Sequence, residues 1–207
     1  MTDAPDYFEQ PAWDERYAGD GRTWSGDPNV QLVAEVSALT PSTALDVGCG
    51  EGGDVVWLAR RGWRVTGADF SANGLARAAR QAEAAGVAQN VDWWQVDARR
   101  FDAAGREFDL VSTHLLHPPE AGMAEVTRRL ATAVAPGGHL LVVGHAPSET
   151  HGHRNAAQRN AMFVAADLID ALPKEFTVLV AEQRPRTQLR EGVAHEVSDA
   201  TLLARRS

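Results

Sequence analysis

Apolar residues fall along this chain in short runs separated by helical periods. Thr43 to Val47 is a brief continuous apolar run of the kind a buried strand shows, and Asp54 to Arg61 repeats its apolar positions at helical spacing. Arg64 to Asp69 reads as a second strand. Ser71 then stands where a helix cap belongs, ahead of Leu75, Ala78, Ala79 and Ala82, and Gly86 ends the segment. Val91 to Val96 and Phe108 to Thr113 are predicted strands three and four. Pro136-Gly137-Gly138 introduces a fifth, His139 to Gly144. Strand alternating with helix implies a mostly parallel sheet with helices on both faces, an α/β fold.

The last third departs from that alternation. Phe163 to Leu172 reads as a helix stopped by Pro173, and Phe176 to Glu182 as a sixth strand. The polar stretch Arg184 to Gly192 is too short to hold a crossover helix, yet Ala194 to Ala204 reads as a seventh strand. Strands joined that way must run antiparallel. The predicted architecture is a single-domain, Rossmann-like, doubly wound seven-stranded sheet whose last strand is reversed. Residues 1–30 are expected to form an N-terminal segment and residues 40–207 the core of that domain.

The chemistry concentrates at the first strand–helix junction, Leu45-Asp46-Val47-Gly48-Cys49-Gly50-Glu51-Gly52-Gly53-Asp54. A turn that tight needs residues without a Cβ, so that the backbone can bend and a ligand can come close. The helix N-terminus behind it offers unpaired N–H groups. Asp46 adds a carboxylate, which suits a ligand with a cationic end as well as an anionic one. Gly48, Gly50 and Gly53 satisfy the dinucleotide spacing G-x-G-x-x-G, a weak signal when alone. Asp69, 19 residues after Gly50, ends the second strand where an acid grips two ribose hydroxyls. Asp97 and Ala98 follow the third strand directly; Asp97 also reads simply as a loop acid capping a turn.

Asp46, Gly48, Gly50 and Gly52 also satisfy D-x-G-x-G-x-G, which resembles the first motif of class I S-adenosylmethionine (SAM)-dependent methyltransferases. The resemblance extends over residues 44–144 through Asp69, Asp97 and the Pro136-Gly137-Gly138 unit. The ending Asp199 to Arg206 and the entry Trp13-Asp14-Glu15-Arg16-Tyr17 look like tellurite-resistance-type and thiol methyltransferases. It implies cofactor contacts from Asp46, Gly48, Cys49, Gly50, Asp69, Phe70, Asp97, Ala98 and Thr113. It also implies SAM as cofactor, S-adenosylhomocysteine (SAH) as product, and a small-molecule acceptor, with a thiol or chalcogen species among the expected classes. Trp13, Tyr17 and Trp24 would form a lid over the cofactor, or pack as ordinary core. One alternative is a SAM-binding sensor or interaction protein without catalysis; a nucleotide-dependent oxidoreductase is another.

Parallel strands present their carboxyl ends on the ligand edge. His114 and His117 follow strand four, His145 follows strand five, and His195 opens the reversed strand, with Arg184 and Arg186 in the turn before it. His151 and His153 can join them. Three readings stay open: a general base drawn from His117, His145 or His195, an imidazole metal site, or polar lining of the pocket. None of the pairs has a diagnostic metal spacing, so no metal is expected.

Composition narrows the setting. Among 207 residues the formal net charge is −8, which argues against nucleic acid as partner. No apolar run is long enough to span a bilayer, and Met1 to Gln10 is acidic and polar, unlike a signal peptide. Cys49 is the single cysteine, which excludes an internal disulfide and fits a reducing cytoplasm. It reads as a packing residue rather than a nucleophile.

Overall fold

The computed structural model describes residues 7–19, 21–120, 122–147, 155–190 and 193–207. The strands are β1 (Thr43–Val47), β2 (Arg64–Asp69), β3 (Val91–Gln95), β4 (Phe108–His114), β5 (Val134–His145), β6 (Phe176–Arg190) and β7 (Val193–Arg206). They form one sheet in the order β3-β2-β1-β4-β5-β7-β6. The first five are parallel, and β7 runs antiparallel between β5 and β6. The reversed last strand expected from the short connection is therefore present.

The helices are α1 (Gln10–Arg16), α2 (Val30–Val36), α3 (Gly53–Arg60), α4 (Ala72–Ala84), α5 (Met123–Ala131) and α6 (Ala156–Asn160). Neighbouring strand residues point to opposite sheet faces. Leu110, Leu141 and Val143 accordingly pack with Leu32, Val36, Leu58 and Trp63 in the layer of α2 and α3. Val111, Leu140 and Val142 pack with Met123, Val126, Leu130 and Phe163 on the other side. Ser71 caps α4 by accepting from the Gly74 N–H at 3.0 Å, as its position in the sequence predicts.

Three elements differ from the sequence reading. Pro136-Gly137-Gly138, read as the approach to strand five, lies inside β5. Residues Ala165–Ala171 form 3₁₀ turns rather than a longer helix. The supposed polar connection Arg184 to Gly192 is mostly strand: β6 and β7 pair from Phe176↔Arg206 out to Arg190↔Val193. β5 accompanies β7 only as far as His145↔Asp199, so the hairpin projects past the sheet edge. The β6 half carries Arg184, Arg186 and Thr187 and no apolar alternation, and such a strand is hidden from pattern reading.

Candidate functional site

The carboxyl ends of β1, β2 and β4 meet at the glycine turn. Gly48 and Cys49 donate backbone N–H bonds to the Ala68 carbonyl at 2.7 and 3.0 Å, tying the turn to β2. Asp69 completes the tie: one oxygen accepts the Gly50 N–H and the other the Ser71 N–H, both at 2.8 Å. Burial pushes the Asp69 carboxyl up despite these two donors. Gly50 has φ +50°, and a Cβ there would stand 2.8 Å from the Tyr17 hydroxyl, so glycine alone fits under the N-terminal segment.

Asp46 lies at the centre of a buried charged group. Its Oδ1 accepts the Ser112 hydroxyl at 2.9 Å and lies 3.3 Å from His114 Nδ1. The same nitrogen is 3.0 Å from Asp54 Oδ2, while Asp54 Oδ1 accepts the Asn29 N–H at 2.6 Å. Burial works against the imidazolium, but Asp54 and Asp46 outweigh it and raise His114 to about 10. Burial also raises Asp46, whereas the Asp54 carboxyl, although buried, is held down by His114. Asp54 and His114 thus form the ion pair, and Asp46 is the acid that gains most from an incoming cation. The donor atoms of Asp46, Asp54 and His114 lie within 4.8 Å of one another, near enough for a metal ion, with the imidazolium already supplying the positive charge there. His114 Nε2 and Thr113 Oγ1 are buried without a hydrogen-bond partner, polar atoms left open where a ligand would lie.

Asp97 sits at the end of β3 but is engaged from its own side. It caps the 3₁₀ turn Ala98–Arg100 through the Arg99 N–H at 2.9 Å, and the Arg99 guanidinium holds both of its oxygens. Arg99 also reaches Glu9 at 2.8 Å, joining this corner to the N-terminal segment. Burial opposes ionisation of Asp97, and Arg99 more than offsets it. Ala98 is buried beside it, and Phe70, half-buried, lends its carbonyl to Gln95. Cys49 is buried, and burial with the nearby Asp69 and Asp46 drives its thiol up, which disqualifies it as a nucleophile.

The N-terminal segment covers the turn. Tyr17 is 5% exposed, and Trp24 Nε1 donates to its hydroxyl at 3.1 Å. Trp13 stacks obliquely near both rings. None of the α1 residues is buried, although Tyr17 just after the helix is, and the Asp14 carboxylate accepts from Ser71 at 2.5 Å. The segment's staple is Glu51, a residue that the sequence reading passed over. The buried Glu51 carboxylate pairs with Arg77 of α4 and accepts the backbone N–H groups of Thr23 and Trp24 at 3.0 Å each. Arg77 also donates to the Gly21 carbonyl at 2.7 Å and to that of Gly19. A surface cavity of about 980 Å³ opens beneath this segment along α4 rather than at the sheet edge, although Tyr17 and Glu51 line it.

The histidines divide into two groups. His114 belongs with Asp46. His117 and His145 stack at 5.1 Å with 9° between ring planes, and His117 Nε2 accepts the His145 N–H at 3.0 Å. Across the sheet, His145 Nδ1 lies 3.8 Å from Oδ1 of the fully buried Asp199, whose Oδ2 accepts Arg186 Nε at 2.7 Å. The sequence put Arg184 and Arg186 in a turn; both are on β6, where Arg184 pairs with Glu35 of α2. His195 pairs with Gln188 on the projecting hairpin, four positions beyond Asp199. His151 and His153 lie outside the described residues.

Residues 44–138 match the family described as methyltransferase domain. A ubiquinone biosynthesis O-methyltransferase from Methylobacterium sp. (strain 4-46) is 41% identical over 100 residues, covering 48% of this chain and 39% of the relative. The chain spans less than half the length of the first curated relatives it matches. A structure described under the conversion of a disulfide bond into a thioacetal group during echinomycin biosynthesis superposes with TM-score 0.75 at 22% identity, covering 96% of this chain and 92% of that one. The N-methyltransferase NodS from Bradyrhizobium japonicum WM9, in complex with SAH, superposes with TM-score 0.69 at 19% identity, covering 95% and 97% of the two chains.

Proposed function

We propose that this chain, whose residues 44–138 match the methyltransferase domain family, is a class I SAM-dependent methyltransferase that transfers a methyl group to a small-molecule acceptor. The observation that carries the reading is the order of three acids along adjacent strand ends. Asp46 is the penultimate residue of β1, Asp69 ends β2, and Asp97 lies two residues past β3. Strand spacing sets neighbouring acids about 5 Å apart sideways, roughly 10 Å across the three strands. That row suits a ligand with an ammonium at one end, a ribose between and an adenine at the other. Asp46, Gly48 and Gly50 would hold the methionine end, with the buried Cys49 backing the turn and Thr113 offering its open hydroxyl. Asp69 would take the ribose, and Asp97, Ala98 and Phe70 would border the adenine.

Bound SAM supplies an activated methyl group on a sulfonium, so the chain needs to align the acceptor and exclude water. The N-terminal segment, residues 1–30, serves as the lid in this reading, and residues 40–207 as the core. A nucleic-acid acceptor is disfavoured by the net charge of −8. No helix among the described residues is long and apolar enough to cross a membrane, and the reading places the protein in the cytoplasm. A thiol or chalcogen acceptor would need little base assistance, whereas a hydroxyl acceptor would need a proton removed. Thermal-shift titration tests the cofactor assignment: SAH should raise the melting temperature of the wild type, and Asp69→Ala should abolish most of that rise. An equal rise in both proteins contradicts it.

A further inference from the structure

We infer that the cavity along α4 binds a small organic molecule carrying a phosphate, and that this occupant fastens the N-terminal segment over the glycine turn. The second half rests on the methyl-transfer reading above. At about 980 Å³ the cavity has the size of a ligand pocket. Arg22 of the N-terminal segment, Arg60 of α3 and Arg80 of α4 all line it. Glu51 is the one acid among the described lining residues, and Arg77 already neutralises it. Among the described residues no acid pairs with Arg22, Arg60 or Arg80. Three unmatched cations thus share one cavity in a chain whose net charge is −8. Gathered like charges repel one another and focus a field that draws an anion in.

Arg22 is held in place before any ligand arrives. One end of its guanidinium donates to the Ser25 carbonyl at 2.9 Å and the other to Gln81 Oε1 of α4 at 3.0 Å. Both partners are neutral, so the position is fixed while the charge stays unspent. The guanidinium lies against the backbone of Gly26, where φ is +82° and a Cβ would collide with it. Glycine at 26 therefore serves the arginine as well as the turn. A guanidinium fork matches phosphate oxygens in pairs, and holding it still lowers the entropy lost on binding.

The lining also sets the ligand's class. Three cations suit a dianion better than a single carboxylate, and a phosphate monoester carries about −1.5 to −2 at neutral pH. Val56, Ala76, Ala84 and Ala85 supply small apolar surface between the arginines, which suits an organic group attached to the phosphate. Thr23 and Trp24 come directly after Arg22, and these are the residues whose N–H groups Glu51 holds. Trp24 in turn donates to the Tyr17 hydroxyl above Gly50. An anion bridging Arg22 to Arg60 and Arg80 would tie that segment to α3 and α4 at a second point. Cofactor and anion would then each tighten the binding of the other.

The test is calorimetry on the full chain with phenyl phosphate as the probe, benzoate as the monoanion control and sodium chloride holding ionic strength constant. Saturable binding of phenyl phosphate is expected, with benzoate at least about tenfold weaker. Arg22→Gln and Arg80→Gln should each weaken it by about tenfold or more, the loss of a charged hydrogen bond. Melting curves confirm folding, and the exposed Arg80 decides the matter if the Arg22 variant loosens the segment. Saturating phenyl phosphate should tighten SAH binding by about fivefold in the wild type and leave it unchanged in Arg80→Gln. No saturable binding at millimolar phenyl phosphate, benzoate binding equally well, or unchanged affinity in both variants overturns the site. SAH affinity that falls when phenyl phosphate is present would place the anion at the glycine turn and overturn it too, and SAH affinity that does not change overturns the fastening. Failure of SAH to bind with or without the probe would instead bring down the methyl-transfer reading, while the phosphate site still stands or falls on the variants.

Discussion

Replacing Glu51 by alanine should loosen the N-terminal segment without disturbing the sheet. In the folded protein this carboxylate is 4% exposed and serves Arg77, the Thr23 N–H and the Trp24 N–H together. Breaking a buried ion pair from one side costs about 3–5 kcal/mol, since the remaining charge stays buried. Arg77 keeps its carbonyl partners at Gly19 and Gly21, which offsets part of that loss. The two freed amides move with a surface segment and regain water. A net cost of about 3 kcal/mol follows, near the lower bound of the range. For a chain of this size it lowers the melting temperature by about 6–12 °C. Glu51→Gln keeps an acceptor for the amides and should lose less. The assay is urea denaturation followed by tryptophan fluorescence, because Trp13 and Trp24 report on the segment itself. A Glu51→Ala protein within about 0.5 kcal/mol of wild type, the range of ordinary surface substitutions, would refute the staple.

Other outcomes follow from the same geometry. Asp69→Ala should weaken SAM binding by about 1.5–3 kcal/mol, the range for hydrogen bonds to a charged group, and unchanged affinity in calorimetry would show the acid to be uninvolved. Gly50→Ala should abolish SAH binding, because its Cβ would collide with Tyr17 and its φ is positive; retained affinity would mean that the lid does not close on this turn. The folded pKa of His114, about 10, lies above the ordinary value of about 6.5. Its stabilisation is therefore complete below that ordinary value and is lost as pH rises through about 10. Denaturation midpoints should fall over that interval in the wild type, and a His114→Asn protein showing the same fall would assign the effect to other groups.

The first five strands were legible as short apolar or alternating runs, with glycine or proline turns bounding β1 and the buried part of β5. Val47 before Gly48 and Ala68 before Asp69 mark strand ends at the edge, and Pro136-Gly137-Gly138 marks the entry to the buried part of β5. The acids at those ends were legible by position, since parallel topology gives every carboxyl terminus the same edge. The long hairpin was not, because residues such as Arg184, Arg186 and Thr187 pair with β7 through backbone rather than through a buried stripe. Long-range charge pairing was hidden for another reason. Glu51 and Arg77 are 26 residues apart, and Asp54 and His114 are farther still; no local pattern announces which acid meets which base. His145 and His117, expected on one edge by topology, stack in the structure. What separates them, the His145 N–H bound to His117 Nε2 and Asp199 across the sheet, depends on register that alternation alone does not set.

The central claim is that the row Asp46, Asp69 and Asp97 holds a sulfonium cofactor with its ammonium, ribose and adenine in that order. Isothermal titration of the full chain with SAH and, separately, with NAD tests it most directly. The account predicts saturable SAH binding and none for NAD, since Asp46 favours a cationic end where a dinucleotide would bring its pyrophosphate. Saturable NAD binding with none for SAH would contradict it.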